Sequence, residues 1–230
     1  MLRDDGFLHA LQISDSFFPT GMVTLSHTLE TFVDEGQVTS EEDIEGLLED
    51  YLRHQLGVAD TVALGNAHRA AEQGDIQAII EIDLTLTAMK LVKESREVSV
   101  KTGGRMLAVA QRLTEAPIVR QLKEAVDQGR SPGNYAAVLG VMSSALNIPC
   151  KQAMMLELYS FAVSFLGAAV RLGRLHYLQV QEILLRTGTV IIEVVEENGD
   201  RPICEMRSFT PGIDIMGMKH QRADRRLFVS

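Results

Sequence analysis

The chain carries six histidines, His9, His27, His54, His68, His176 and His220, and two cysteines, Cys150 and Cys204, the side chains best suited to hold a metal or to act as a nucleophile. No histidine lies within four residues of another or of a cysteine, so the short spacing that brings two metal ligands together is missing. A metal site would have to be assembled from distant positions, and scattered histidines of this kind read as hydrogen-bonded or solvated structural residues. Phosphate chemistry has no better footing. The loop that cradles a nucleotide ends in Gly-Lys, a dipeptide the sequence does not contain. Lys101-Thr102-Gly103 matches one element of the penicillin-binding serine enzymes, but the Ser three residues before a Lys that they also need is lacking. Glu41-Glu42-Asp43 and the trio Glu193, Glu196 and Glu197 read as solvated helix faces or partners of a helix dipole. No catalytic residue, no cofactor and no resident metal is expected. The unexplained stretch is the apolar and basic Ile213-Asp214-Ile215-Met216-Gly217-Met218-Lys219-His220, which either folds back on the body or docks on a partner.

The scaffold that positions them is expected to be all-α. The chain has 230 residues, 46% of them hydrophobic and 23% charged, enough to bury a real core. Only 6 Pro and 18 Gly leave room for long helices, and no linker divides residues 1–230, which read as a single domain. Apolar spacing predicts a helix over Met22–Glu35, a second one from a capping box at Thr39 and Glu42, and a possible interruption at Gly57. Asp75 caps a following stretch that runs to about Leu113, read as two helices in line separated near Gly103-Gly104. Pro117 opens a short helix ending near Gly129, another runs from Asn134 to Leu146, and Cys150 to about Leu172 is the most apolar and belongs at the centre. Tyr177–Glu197 is read as a helix, although the β-branched run Thr189–Val195 is equally compatible with a strand. The expectation is a bundle of about eight to ten helices followed by an irregular tail over 198–230.

Charge and length exclude several partners. Lys and Arg total 22 against 31 Asp and Glu, a net charge of −9 that disfavours nucleic acid and anionic lipid. The uncharged run Leu158 to Val170 in the most apolar segment has thirteen residues, short of the about 20 that cross a bilayer. Met1–Ala10 carries Arg3, Asp4 and Asp5 and no apolar signal-peptide core, and the two cysteines form no paired motif, so a reduced cytoplasmic protein without membrane contact is expected.

Several segments, taken in order, resemble the urease accessory protein UreF family. The ending Pro211-Gly212-Ile213-Asp214-Ile215-Met216-Gly217-Met218-Lys219-His220, followed by Arg225-Arg226-Leu227-Phe228-Val229-Ser230, is similar to the family's C-terminus. Leu11-Gln12-Ile13-Ser14-Asp15-Ser16-Phe17-Phe18-Pro19-Thr20-Gly21 and Ser26-His27-x-Leu29-Glu30 resemble its opening motif. Ser95-Arg96-Glu97-Val98-Ser99 with Gly104-Arg105, the helix Tyr135–Ile148, and Ala168-Ala169-Val170-Arg171-Leu172-Gly173 with Gln181 match further segments. The sequence departs from the pattern at Met22 and Thr28, where the family has Gly, at Leu25, where it has Tyr, and at Asn147, again in place of Gly.

The resemblance implies a non-enzymatic, all-helical scaffold that forms a homodimer and joins the GTPase UreG and the accessory protein UreD, also called UreH. Together they insert nickel into apo-urease, with the nickel handled by the complex. Partner binding is expected on the tail, through the apolar anchors Ile213, Met218, Leu227 and Phe228, the charged Asp214, Lys219, Arg225 and Arg226, and His220. In the body it is expected at Arg171, Ser26 and His27. Arg171 or Arg96 could act on the GTPase of the partner, as a finger or as a gate; His220, His27 or Cys204 could carry nickel directly. The alternative is a divergent all-α adaptor with another partner and no role in nickel delivery.

Overall fold

A computed structural model of the chain describes residues 5–15, 17–21 and 25–222. Among the described residues there is no β-strand, and the helices are α1 (Asp5–Ser14), α2 (Leu29–Asp34), α3 (Glu41–Asp50), α4 (Thr61–Gln73), α5 (Ile76–Met89), α6 (Lys93–Leu113), α7 (Pro117–Asp127), α8 (Tyr135–Ala145), α9 (Cys150–Arg171), α10 (Tyr177–Asn198) and α11 (Pro211–Arg222). The fold is all-α. Its centre is α9, which buries residues around nearly its whole circumference, Met154, Leu158, Phe161, Phe165 and Ala169 among them. By length and composition α9 could also span a membrane, but 67% of its most apolar window is buried in the protein, as suits a core helix. The small residues Ala136, Ala137 and Gly140 keep α8 thin, and α4 and α6 pack closely against it.

The N-terminal helix start at Ser40 is a capping box with Asp43, one residue later than the expected Thr39–Glu42 pair. The Asp43 carboxylate accepts from both the Thr39 and Ser40 amides, and those backbone bonds, with the Thr39 hydroxyl, hold it below the usual carboxylate range. Gly57 does not interrupt the chain. The helix runs on from α3 through a π-helical stretch, Tyr51–Asp60, directly into α4, a winding often found at functional sites. The expected break at Gly103-Gly104 is also wrong: α6 passes straight through, and the real break lies at Lys90–Val92. Gly103 serves packing, since a Cβ there would come within 2.1 Å of the Gly133 carbonyl oxygen. Residues 189–195 belong to α10, so the strand reading fails; Thr187, Ile191, Val194 and Val195 are buried at helical spacing.

The larger correction concerns the tail. Residues 199–210 are irregular apart from one turn of 3₁₀-helix at Ile203–Glu205, but Pro211–Arg222 is a helix packed on α2 and α6. Pro211 suits a first helical turn, and Ile213, Met216, Gly217 and His220 recur at three- and four-residue steps on the inward face. An unpredicted helix, α1, sits against α9, with His9 Nδ1 hydrogen-bonded to the Leu146 carbonyl at 2.9 Å.

Gly129-Arg130-Ser131-Pro132-Gly133 has the spacing of a hydrolase nucleophile elbow, yet here it joins two helices and its serine is occupied. Ser131 Oγ and the amide of Gly133 donate to Asp83 Oδ2, while the amide and side chain of Asn134 donate to Asp83 Oδ1 at 2.9 and 2.7 Å. Asp83 is fully buried and ties α5 to the loop between α7 and α8. Asp83→Asn turns an acceptor into a donor among these donors and is expected to cost about 3 kcal/mol of stability. Chemical denaturation checks this; an unchanged midpoint contradicts it.

Candidate functional site

Three parts of the sequence singled out for function meet at one place: the Ser26-His27-Thr28 turn, the start of α6, and α11. The turn is backbone-driven. His27 and Thr28 have φ of 51° and 64°, the left-handed region, so the helix expected from Met22 cannot form there and begins only at Leu29. Residues 22–24 lie outside the described residues. Four groups hold the turn. Tyr51 donates its hydroxyl to the His27 carbonyl at 2.7 Å and is hydrogen-bonded to the Thr28 hydroxyl. His27 Nε2 and Ser164 Oγ are 2.8 Å apart, and the imidazole lies on Phe161 with ring centroids 4.5 Å apart. Arg171 donates to the Leu25 carbonyl at 3.2 Å.

Beyond the turn, α2 presents Glu30 to the tail. His220 of α11 is buried between two acids: Nδ1 is 2.9 Å from Glu94 Oε2, and Nε2 is 3.6 Å from Glu30 Oε2. Lys219 pairs with Glu35. Gly217 admits the close approach, because a Cβ there would already touch Val92 at 3.1 Å and Thr28 at 3.5 Å. The tail helix is thus pinned to α2 and α6 by charge at its C-terminal end and by shape at its middle.

Beneath α11 lies a cavity of about 150 Å³ whose wall includes His27, Tyr51, Ile213 and Asp214. Its lining is mostly apolar, with a polar cluster on the inner side. Lys90 Nζ donates to both Asp60 oxygens at 2.7 and 2.8 Å, and Glu157 of α9 accepts from Thr61 at 3.4 Å. Burial, then the charge of Asp60, raise the Glu157 carboxyl well above its ordinary range, with Lys90 opposing. Burial likewise raises Asp214 and pushes the phenols of Tyr51 and Tyr135 up. The His27 imidazole goes the other way: burial first, and then the charge of Arg171, lower it to about 3. The cavity holds an imidazole that is neutral at pH 7, a carboxyl that gives up its proton less readily than usual, and one ion pair. It can bind and pack; the Ser164–His27 contact in its wall is a hydrogen bond that holds the turn. Among the described residues no three His, Cys, Asp or Glu side chains are grouped to hold a metal ion.

The structure places the predicted site residues on two faces. Ile213, Asp214 and His220 point inward and are buried; Met218 and Lys219 lie outside, with Ile215 and Phe209 also exposed. Ile213 is therefore a core residue, and Lys219 is an exposed side chain paired with Glu35 within the chain. The cause is the helix, whose period turns 213, 216 and 220 to one side and 215 and 218 to the other. Ser26 is fully buried. Arg225, Arg226, Leu227 and Phe228 lie outside the described residues. Arg96 donates to the carbonyls of Lys90 and Leu91, closing the break before α6. Glu30, Glu94, Tyr51, Lys90 and Glu157 were not anticipated, although Glu157 stands out as the one acid in the most apolar helix.

Fold and site together define an all-α protein in which the tail and the N-terminal motif close one cavity. The UreF family model matches residues 38–188. Over 223 residues, 97% of this chain and 96% of the relative, the chain is 33% identical to the urease accessory protein UreF of Trichodesmium erythraeum. It is 30% identical to urease accessory protein UreF 1 of Brucella melitensis, covering 98% of this chain and 93% of that one. A third relative, the urease accessory protein UreF of Actinobacillus pleuropneumoniae, is 28% identical over 96% of this chain and 97% of its own length. The chain belongs to the UreF family, and that membership supports a urease accessory role.

Two buried groups set the pH response in opposite senses. Below pH 6.5 the unfolded chain protonates His27 while the folded chain does not until about 3, so stability falls as pH falls through that window, by up to about 1.4 kcal/mol per pH unit. Glu157, its folded value raised, costs stability as pH rises above 4.5. His27→Gln is expected to flatten the acid limb of the stability curve, and Glu157→Gln to raise stability at pH 8 relative to pH 5. Denaturation at pH 5, 6.5 and 8 checks both, and wild-type slopes in either variant contradict the assignment.

Proposed function

We propose that the protein is a cytoplasmic assembly scaffold for urease: a non-enzymatic dimer that joins a UreD/UreH-type protein and a UreG-type GTPase so that nickel reaches the apo-urease active site. The observation that carries the reading is the outer face of α11. Phe209 is 82% exposed, Ile215 53% and Met218 43%, an apolar strip beside the anchored Lys219, on a helix whose inner face is already satisfied. Docking there needs no ordering of the segment from coil, which lowers the cost of binding relative to a disordered tail.

GTPase control is read as gating of assembly. Arg171 and Arg96, the two candidates for a finger, each donate to backbone carbonyls within the chain. Nickel is read as cargo passed between partners, because His27 and His220 are committed to Ser164 and to Glu94. The free thiols of Cys150 and Cys204 fit a reducing compartment.

Removing the chain after Gly212 would strip the cavity of its cover, so surface substitution is the cleaner test. Ile215→Asp/Met218→Asp should fold with wild-type stability and lose at least about tenfold in affinity for the UreD/UreH-type protein, by light scattering of mixtures and titration calorimetry. Wild-type affinity in this variant would move the partner surface elsewhere. No complex formed by the unsubstituted chain with either partner would favour the adaptor reading.

A further inference from the structure

We propose that the cavity beneath α11 binds a small primary amine as its ammonium ion, with the charged head on the carboxylates of Glu157 and Asp214 and the hydrocarbon on the apolar lining. Five charged side chains line the cavity, and four of them are acids: Asp60, Glu94, Glu157 and Asp214. The fifth, Lys90, donates to both oxygens of Asp60, and Glu94 faces His220. Glu157 and Asp214 are left without an ion-pair partner among the described residues. Glu157 is 3% exposed and accepts one long hydrogen bond, from Thr61 at 3.4 Å. Asp214 is 9% exposed, and its side chain makes no hydrogen bond or ion pair among the described residues. Two buried carboxyls with open acceptor sites on one cavity call for a donor that the chain does not supply, and a charged donor satisfies them best.

The rest of the lining sets the size and nature of the ligand. Tyr51, Tyr135 and Phe161 bring three aromatic rings to the wall, and such rings favour a cation over an anion. Leu25, Leu56, Val92 and Ile213 supply apolar surface for a short hydrocarbon chain. At about 150 Å³ the cavity has the size of one that holds benzene, so the ligand has about five or six non-hydrogen atoms. Leu91 is in the lining and exposed, which gives an entry at the break between α5 and α6. An anion finds no free positive charge there, because Lys90 is paired and burial keeps the His27 imidazole neutral at pH 7. Uptake is coupled to a proton. Burial raises both carboxyls, and at Glu157 the charge of Asp60 adds to it while Lys90 opposes. An ammonium ion beside them favours the ionised form, so binding expels a proton to solvent and affinity climbs as pH rises toward neutrality.

Titration of the full-length chain with n-butylamine, followed by amide NMR shifts, tests the site with no partner protein present. A Kd of about 1 mM or tighter is expected at pH 7.5, with the shifts centred on Glu157 and residues 213–217. 1-Butanol has the same size without the charge and should bind at least about tenfold more weakly, and butyrate more weakly still. The butylamine affinity should fall about tenfold from pH 7.5 to pH 5. Glu157→Gln/Asp214→Asn should lose about tenfold in affinity for butylamine and keep the wild-type affinity for butanol, which shows that its cavity is intact. Equal affinity of butylamine and butanol for the unsubstituted chain overturns the site, with no variant needed. Full butylamine affinity in the double variant, or no shift at about 20 mM amine, overturns it as well. The outer face of α11 takes no part in these measurements, so the scaffold reading stands or falls separately.

Discussion

The left-handed turn at His27 and Thr28 is the constraint on which the rest of the site depends. A β-branched residue at φ of 64° is costly in isolation, so the turn persists only because its surroundings over-determine it. Tyr51 from the π-helical stretch, Ser164 from α9 and the close approach of Gly217 hold the turn itself, and Arg171 from α9 holds Leu25 just before it. Its consequence is directional. By ending the N-terminal segment abruptly and starting α2 at Leu29, it places Glu30 against His220. Glu94 closes the other side of the imidazole. Without the turn, α11 would lose one of its two acidic contacts and the cavity part of its wall.

The polar interior under α11 follows the same logic. A buried ion pair is tolerated where its remaining hydrogen bonds are met, and Lys90 reaches Asp60 only because the chain leaves the helical path after Met89. Burial raises the Glu157 carboxyl, because the charged form is the one that loses hydration. The result is a preformed pocket with binding capacity.

Much of this was readable from residue types, and the failures have physical causes. The central helix, the Pro-initiated α7 and the Asp75 cap follow from local rules that tertiary structure did not override. Gly103-Gly104 misled because glycine marks close packing as well as breaks, and only the fold shows the Gly133 carbonyl lying against it. The tail read as irregular because twelve residues with a Gly pair and few helix formers have little propensity of their own; packing on α2 and α6 supplies what propensity lacks. The two departures Thr28 and Asn147, each standing where the family has Gly, both fall at positive φ, 64° and 58°, so the backbone requirement survives the substitution. The convergence of Ser26–Glu30, Glu94–Ser99, Tyr135 and α11 on one cavity could not be read from spacing, since those segments are far apart in the chain.

The central claim is that the tail is a folded element whose inner face closes the cavity and whose outer face receives a partner. Amide hydrogen exchange over residues 209–222, measured on the chain alone and with the UreD/UreH-type protein, tests it most directly. The account predicts slow exchange across α11 in the chain alone, and further protection of 209–218 in the mixture. Exchange at unstructured-chain rates before the partner is added, or no change on adding it, would contradict the claim.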